Sequence, residues 1–132
     1  MLPLSSKQTV KVTTKDGTTV ELSYLLGRMQ LAYFGIVDDM SRGNKLIKKA
    51  ERFEGDPDLE VNEEYDAIMS EAQKILTNYR CNMVDLFVVK IGDVEVKAVS
   101  KDLTSNDVEE LASLILDNFE VITGRKKEDV KN

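Results

Sequence analysis

The chain has 132 residues, of which 42% are hydrophobic and 32% charged, with a formal net charge of −6 and a pI of about 4.8. This composition predicts one folded domain with a sizeable core and argues against a wholly disordered chain. The negative charge disfavours nucleic acid and anionic membranes as partners. Two short basic runs, residues 45–49 and 124–127, are interpreted as solvated helix ends.

Histidine is absent, which removes the commonest general base near neutral pH and the commonest metal ligand. The single cysteine, Cys81, excludes an internal disulfide and is interpreted as a packing residue. The N-terminus lacks a signal-peptide pattern, and no window approaches the ~20 apolar residues of a membrane span. We therefore expect a soluble cytoplasmic protein without a cofactor or a metal.

Two segments show the alternation of apolar and polar residues that is typical of β-hairpins. Residues 8–23 alternate on both sides of a turn at Asp16-Gly17, and residues 86–99 do so around Gly92-Asp93. A lone hairpin is marginally stable in water. The two hairpins could pair into one four-stranded sheet, or each could remain separate with a free edge, and both arrangements stay open here.

Apolar residues at three- and four-residue spacings predict helices between and after the hairpins. The predicted helical segments are 23–41, 44–53, 61–82 and one that begins after the N-cap Thr104 and ends at Gly124. Gly43 is expected to break or bend the chain between the first two segments. Residues 83–90 either prolong the third helix or form a strand from about Leu86.

Together these elements predict a single α+β domain over residues 1–132, with three or four helices and two antiparallel β-hairpins. Residues 1–7 and 125–132 are expected to be flexible ends. The predicted core consists of the apolar stripes of the helices: Leu26, Met29, Tyr33, Ile36, Val37, Ile68, Ala72, Ile75, Leu76, Tyr79, Leu111, Ile115 and Phe119.

The sequence contains no arrangement of residues that predicts catalysis. Residues 56–67 space their acids like a calcium loop, but the sixth and twelfth positions hold Val61 and Ala67 instead of glycine and glutamate. The adjacent acids at 63–64 and 109–110 lack an apolar setting that would raise a pKa. None of the glycines falls in a phosphate-binding pattern. We therefore predict a non-enzymatic protein, with a carboxylate-based small enzyme or ligand-binding domain as the remote alternative.

The first predicted helix carries apolar residues on more than one face, because Leu31 and Phe34 lie off its main stripe. Gly27 and Gly35 lie in the same segment, and each lowers helix stability by about 1 kcal/mol relative to alanine. Their presence fits either close packing against another helix or chain, or a local kink. A free edge of either hairpin could accept a partner by strand addition. The candidate interface residues are Gly27, Leu31, Phe34, Gly35, Val94 and Val96.

The N-terminal hairpin "VKVTTKDGTTVELSY", followed by a small, acidic, mostly helical body, resembles the small assembly proteins of tailed bacteriophages, tail assembly chaperones in particular. In those proteins, helical bodies shield aggregation-prone tail components and guide their polymerisation. The resemblance lies in layout and composition and transfers no functional residue. It implies an assembly protein that self-associates or binds a protein partner, in the host cytoplasm or the virion. The alternative is a small acidic regulator or inhibitor that masks a partner's basic surface through residues 56–64 and 107–110.

Overall fold

The computed structural model describes residues 9–55, 62–95 and 102–124, so both predicted flexible ends lie outside the described residues. Four helices and one four-stranded antiparallel sheet form a small α+β domain, as predicted. A single 3₁₀ turn, Gly27–Met29, precedes the first helix. The other elements in chain order are β1 Thr9–Thr13, β2 Thr19–Ser23, α1 Gln30–Glu51, α2 Glu63–Phe87, β3 Val88–Ile91, β4 Val94–Glu95, α3 Ser105–Asp117 and α4 Phe119–Thr123.

The two hairpins pair into one sheet with the strand order β1-β2-β3-β4, because β2 and β3 are hydrogen-bonded neighbours. The same register places opposite charges side by side across all four strands. Lys11 faces Glu21, Glu21 faces Lys90, and Lys90 faces Glu95. Such cross-strand pairs stabilise a sheet by about 0.2–1 kcal/mol each relative to alanine pairs. The charged residues therefore favour the register that joins the hairpins.

The first hairpin turns through a three-residue loop, residues 15–17. Thr14 N–H donates to the Thr18 carbonyl at 2.9 Å, and Gly17 N–H donates to the Thr14 carbonyl at 3.1 Å. Gly17 has a φ of +88°, a conformation that side-chain-bearing residues rarely adopt. The glycine predicted to form the turn therefore supplies the backbone conformation that closes it.

Helix α1 begins later and continues further than the sequence pattern predicts. Residues 23–29 complete β2 and form the 3₁₀ turn, and the helix then runs without interruption from Gln30 to Glu51. The predicted break at Gly43 is wrong. Gly43 is buried against α2, where an added Cβ would lie 2.5 Å from Leu76 Cδ2. The helix tolerates this glycine because its missing side chain allows the two helices to approach closely.

Helices α1 and α2 form an antiparallel hairpin. Phe53 near the end of α1 meets Tyr65 near the start of α2, with ring centroids 6.2 Å apart. At the opposite end, Tyr33 meets Phe87, with centroids 6.3 Å apart and the rings edge to face. Aromatic pairs at both ends, with the Gly43 contact between them, fix the alignment of the two helices.

Helix α2 ends later than predicted and leads directly into the sheet. The side chain of Asn62 caps its start by accepting from Tyr65 N–H at 3.0 Å. The helix extends to Phe87, beyond the predicted end at residue 82, because Met83, Val84 and Phe87 continue its buried stripe. Strand β3 begins at the next residue, Val88, so the predicted strand start at Leu86 is two residues too early.

The C-terminal helices close the core from the other side. Thr104 caps α3 as predicted, since its hydroxyl accepts from Asp107 N–H at 3.2 Å. Asn118 interrupts the single helix that the sequence predicts and separates α3 from α4. Gly124 ends α4 in the left-handed conformation with a φ of +70°. Leu25 N–H donates to the Ile122 carbonyl at 2.9 Å and joins α4 to the segment before α1.

Most of the predicted core is buried, but the sheet and the end of α2 contribute more than the sequence pattern predicts. Leu26, Val37, Ile75 and Leu76 are only partly buried. Buried residues outside the predicted set are Val20, Leu22, Ala50, Met83, Val84, Phe87, Val88, Val108, Ala112 and Ile122. The largest fully buried side chains come from β2, α2 and α3, where the three layers of the domain meet.

We expect Gly43→Ala to lower the free energy of unfolding by about 1–2 kcal/mol, because overpacking against Leu76 costs about 1–3 kcal/mol and outweighs the better helix propensity of alanine. Gly35→Ala is the matched control on the same helix, since an added Cβ at Gly35 meets nothing within 4 Å. That variant should gain up to about 1 kcal/mol. Urea denaturation measures the free energy of unfolding of both variants. Changes of the same sign and size in the two variants would contradict the close approach of α1 and α2 at Gly43.

Ile115→Ala should lower the free energy of unfolding by about 2–5 kcal/mol, because the Ile115 side chain is fully buried and its loss leaves a cavity. The sequence pattern predicts the same loss for Ile75→Ala, but Ile75 is only partly buried. We therefore expect a smaller loss for Ile75→Ala, below about 2 kcal/mol. Equal losses in chemical denaturation would show that the two stripes are buried alike and that this core assignment is wrong.

Candidate protein-interaction surface

An apolar patch lies on the outward face of the first half of α1. Leu31 is 87% exposed and Phe34 is 51% exposed, one helical turn apart. Ala32 and Gly35 beside them are also exposed. These four residues form a surface that we call the α1 outer patch. Val94 on β4 and Val121 on α4 are the other large apolar side chains exposed in the described ranges.

The helical repeat explains why this patch faces away from the core. Tyr33, Ile36 and Gly43 are the buried residues on the first four turns of α1, and they point towards α2 and the C-terminal helices. Leu31 and Phe34 are rotated away from that stripe, since successive residues of an α-helix are about 100° apart. Burial of one face therefore forces both side chains into solvent, as the sequence pattern predicts for residues off the main stripe.

The aromatic residue under the patch is held from three sides. The Tyr33 ring lies 6.0 Å from Phe34, 6.3 Å from Phe87 and 6.4 Å from Phe119, measured between centroids. These contacts link α1, α2 and α4 below the exposed surface. The α1 outer patch thus rests on packed side chains, so a partner that docks there meets a preformed surface.

An open groove of about 610 Å³ runs beside the patch between α1 and the end of α2. We call it the α1–α2 groove. Its lining combines apolar side chains with acids and one cation: Ala32, Gly35, Ile36, Asp38, Asp39 and Arg42 from α1, and Asn82, Asp85 and Leu86 from α2. The patch and the groove share Ala32 and Gly35, so they form one continuous surface.

The rim of the groove is acidic. Arg42 donates to Asp39 at 2.8 Å, and Asn78 donates to the other oxygen of the same carboxylate at 3.4 Å. Asp38 and Asp85 add two further carboxyl groups to the lining. Three acids and one cation give the lining a formal charge of −2, which favours a partner that carries a cation beside an apolar side chain.

Two residues outside the groove have shifted pKa values. The pKa of Asp16 is lowered by hydrogen bonds from the Thr14 and Thr18 hydroxyls and from the Thr18 N–H. Burial raises the pKa of the Tyr79 phenol above 10.0, although nearby Arg80 opposes the shift. The first shift belongs to a hairpin loop and the second to the core, so neither describes a reactive group in the groove.

The structure describes five of the six candidate interface residues and places them in three regions. Leu31, Phe34 and Gly35 lie together in the α1 outer patch. Gly27 is exposed in the 3₁₀ turn before α1, so its placement inside the first helix is wrong. Val94 is 67% exposed on the edge strand β4 and belongs to the sheet. Val96 lies outside the described residues.

Within the helices, the close-packing role proposed for Gly27 and Gly35 belongs to Gly43. An added Cβ at Gly27 or Gly35 meets nothing within 4 Å, whereas one at Gly43 would overlap the Leu76 side chain. Gly35 also causes no break, because α1 continues through it. Glycine at position 35 destabilises the helix relative to alanine, and no contact within the described chain explains why a glycine is present there.

Of the nine residues that line the groove, only Gly35 is among the interface residues that the sequence predicts. The sequence leaves open whether Leu86 belongs to a helix or a strand, and the third predicted helix, 61–82, ends before Asp85. A signal for Asp85 and Leu86 is present, since Met83, Val84 and Phe87 continue the helical spacing of α2.

The four acids considered for catalysis are not among the residues that line the groove, and the acidic segment 56–61 considered for calcium lies outside the described residues. Glu63 and Glu64 are exposed on the first turn of α2, and Glu109 and Glu110 are exposed on the second turn of α3. In the ranges that the structure describes, no three acidic or cysteine side chains are grouped so that they could hold a metal ion. The described helices also include none that is both long and apolar enough to traverse a lipid bilayer.

Leu31→Ala should change the free energy of unfolding by less than about 0.5 kcal/mol, because surface substitutions away from packing contacts have small effects. Ile36→Ala, one turn further along on the buried face, should cost about 2–5 kcal/mol. Urea denaturation of the dilute proteins measures both values. A large loss for Leu31→Ala would mean that this side chain is buried within the chain and that the α1 outer patch does not exist.

Comparison with known proteins provides no functional assignment, so the function is inferred from the geometry of the structure alone. No protein-family model, no curated protein and no solved structure matches the chain. The features that bear on function are therefore the α1 outer patch, the acidic groove that continues it and the charges around both.

Proposed function

We propose that this chain is a non-enzymatic interaction or assembly protein that binds another protein, a different one or a further copy of itself, through the α1 outer patch. The observation that carries the proposal is the exposure of Leu31, 87%, beside the half-exposed Phe34 on the next turn. Complete burial of a leucine or phenylalanine side chain contributes about 1.5–3 kcal/mol. Two adjacent apolar side chains on a rigid helix therefore provide an anchor for a partner.

The shape of the surface favours a helical partner. The α1–α2 groove has apolar lining from Ile36 and Leu86 and acids along its rim. An amphipathic helix binds such a groove with its apolar side chains inward and its cations against the rim. This arrangement provides both affinity, through apolar burial, and orientation, through charge.

An assembly role of the type found in tailed bacteriophages is the specific version that we propose. The layout supports it, since a hairpin precedes an acidic helical body and the body presents an apolar patch. A protein that shields aggregation-prone components must cover their apolar surface reversibly while remaining well hydrated itself. An exposed patch on a chain with a net charge of −6 meets both needs.

The acidic regulator is the second candidate, and the charge of the C-terminal helices favours it. Residues 102–124 contain six acids and no lysine or arginine. Asp107, Glu109, Glu110 and Asp117 are exposed along α3. A partner bound there would be held mainly by charge, so its binding should weaken steeply with salt. A partner bound to the α1 outer patch should be comparatively tolerant of salt.

Photo-crosslinking in the native cell tests the proposed function. With Leu31→p-benzoylphenylalanine, we expect covalent adducts of defined mass, because a bound partner covers that position. The matched control is Lys45→p-benzoylphenylalanine on the exposed face of the same helix, which should give few adducts. The yield at position 31 should persist when cell extracts are crosslinked at high salt.

Two results would contradict the proposal in different ways. Equal yields at positions 31 and 45 would show that nothing binds the α1 outer patch. Adducts that form only from Ser113→p-benzoylphenylalanine, on the exposed face of α3, and that disappear at high salt would support the acidic regulator instead.

A further inference from the structure

We infer that the α1 outer patch pairs with the same patch of a second copy in an antiparallel, two-fold symmetric helix contact. In this contact Leu31 of each copy packs over Gly35 of the other, and Arg28 of each copy pairs with Asp38 of the other. The inference rests on the proposed function and names the partner of the same surface.

Gly35 provides the first argument. It lies inside α1, where glycine costs about 1 kcal/mol relative to alanine. An added Cβ there would meet nothing within 4 Å, so no contact within the described chain requires a glycine. On the outward face, its missing side chain leaves a gap beside Leu31, which is 87% exposed. The projecting Leu31 and the gap at Gly35 lie four residues apart. When a second copy of the helix lies antiparallel, Leu31 of each copy can therefore fill the gap at Gly35 of the other.

The flanking charges provide the second argument. Arg28 lies three residues before Leu31, and Asp38 lies three residues after Gly35. An antiparallel copy that places Leu31 over Gly35 therefore brings Arg28 of one chain to Asp38 of the other, at both ends of the contact. Both residues are exposed, and neither forms an ion pair with another residue in the described ranges. A parallel pairing would instead place like charges together.

Arg28 also has no favourable role at its position within one chain. It lies two residues before α1, where the partial positive charge of the helix N-terminus disfavours a cation. In the proposed contact it faces Asp38 at the rim of the acidic α1–α2 groove of the other copy. The acidic rim of one copy therefore attracts Arg28 of the other copy, which the two-fold symmetry places beside it.

The size of the contact sets its strength. From Arg28 to Asp38 the surface spans about 15 Å of helix. A strip of this length and one helix diameter wide covers on the order of 150–180 Å² per partner, well below the roughly 800 Å² per partner of a standard stable interface. We therefore expect a weak, reversible dimer, which suits a subunit that must later exchange its own copy for an assembly partner.

Sedimentation velocity of the full chain over a concentration series tests the inference. Arg28→Asp alone and Asp38→Arg alone should each raise the dimer dissociation constant about tenfold or more, because each places like charges at both ends. A mixture of the two single variants should associate like the wild type, since the heterodimer restores both pairs. The double variant Arg28→Asp/Asp38→Arg should also recover. The matched controls Lys48→Asp and Asp117→Arg, both exposed and outside the contact, should associate like the wild type.

Circular dichroism and urea denaturation must show that all variants are folded before the comparison is made. Single variants that dimerise as well as the wild type, or a mixture that does no better than its components, would overturn the antiparallel contact. A wild-type chain that stays monomeric at every concentration, yet crosslinks to a different protein from position 31, would overturn this inference and leave the proposed function intact. A monomer without adducts at that position would contradict both.

Discussion

The close approach of α1 and α2 at Gly43 determines how the rest of the domain is arranged. An added Cβ at this position would lie 2.5 Å from Leu76 Cδ2, so any side chain there must displace the Leu76 side chain or push the two helices apart. Because the helices are antiparallel, their alignment at Gly43 also sets which residues meet at the far end. Tyr33 reaches Phe87 there, and the α1–α2 groove opens beside them. The candidate interaction surface therefore depends on a contact about two to three helical turns away from it.

The sheet and the C-terminal helices complete the hydrophobic core to which α1 and α2 contribute. Strand β2 contributes Val20 and Leu22, both fully buried, to the same core as Phe87 and Ile115. On the other face of the sheet, alternating lysine and glutamate residues face one another across the strands. Apolar burial thus holds one face and charge pairing orients the other, so two hairpins that are far apart in sequence form one structure.

Local signals in the sequence were sufficient for the first hairpin turn and for both ends of the C-terminal helical segment. The turn at Gly17, the N-cap at Thr104 and the stop at Gly124 follow from backbone chemistry that acts over a few residues, and all three are confirmed. Gly43 was misinterpreted because helix propensity describes the cost of a glycine but not the space that a second helix needs. That space exists only once α2 is in place, so it is a property of the tertiary structure.

The end of α2 and the interaction surface also depend on the tertiary structure, so local sequence signals do not fully predict them. Met83, Val84 and Phe87 carry a helical spacing, while the β-branched residues that follow favour a strand, and only packing against the core decides the boundary. The exposed residues Leu31 and Phe34 could be identified from the helical stripe alone. The α1–α2 groove could not, because its lining combines side chains from two helices whose alignment depends on Gly43.

The direct passage from α2 into β3 has a consequence for how the chain can vary in length. Phe87 ends the helix and Val88 begins a strand that is paired on both sides, so the junction contains no spare residue. One inserted residue would either rotate the preceding helix by about 100° or exchange the two faces of the strand. Insertions and deletions are therefore far better accommodated in the solvent-exposed turn at residues 15–17 than at this junction, where the length of the chain is fixed by two registers at once.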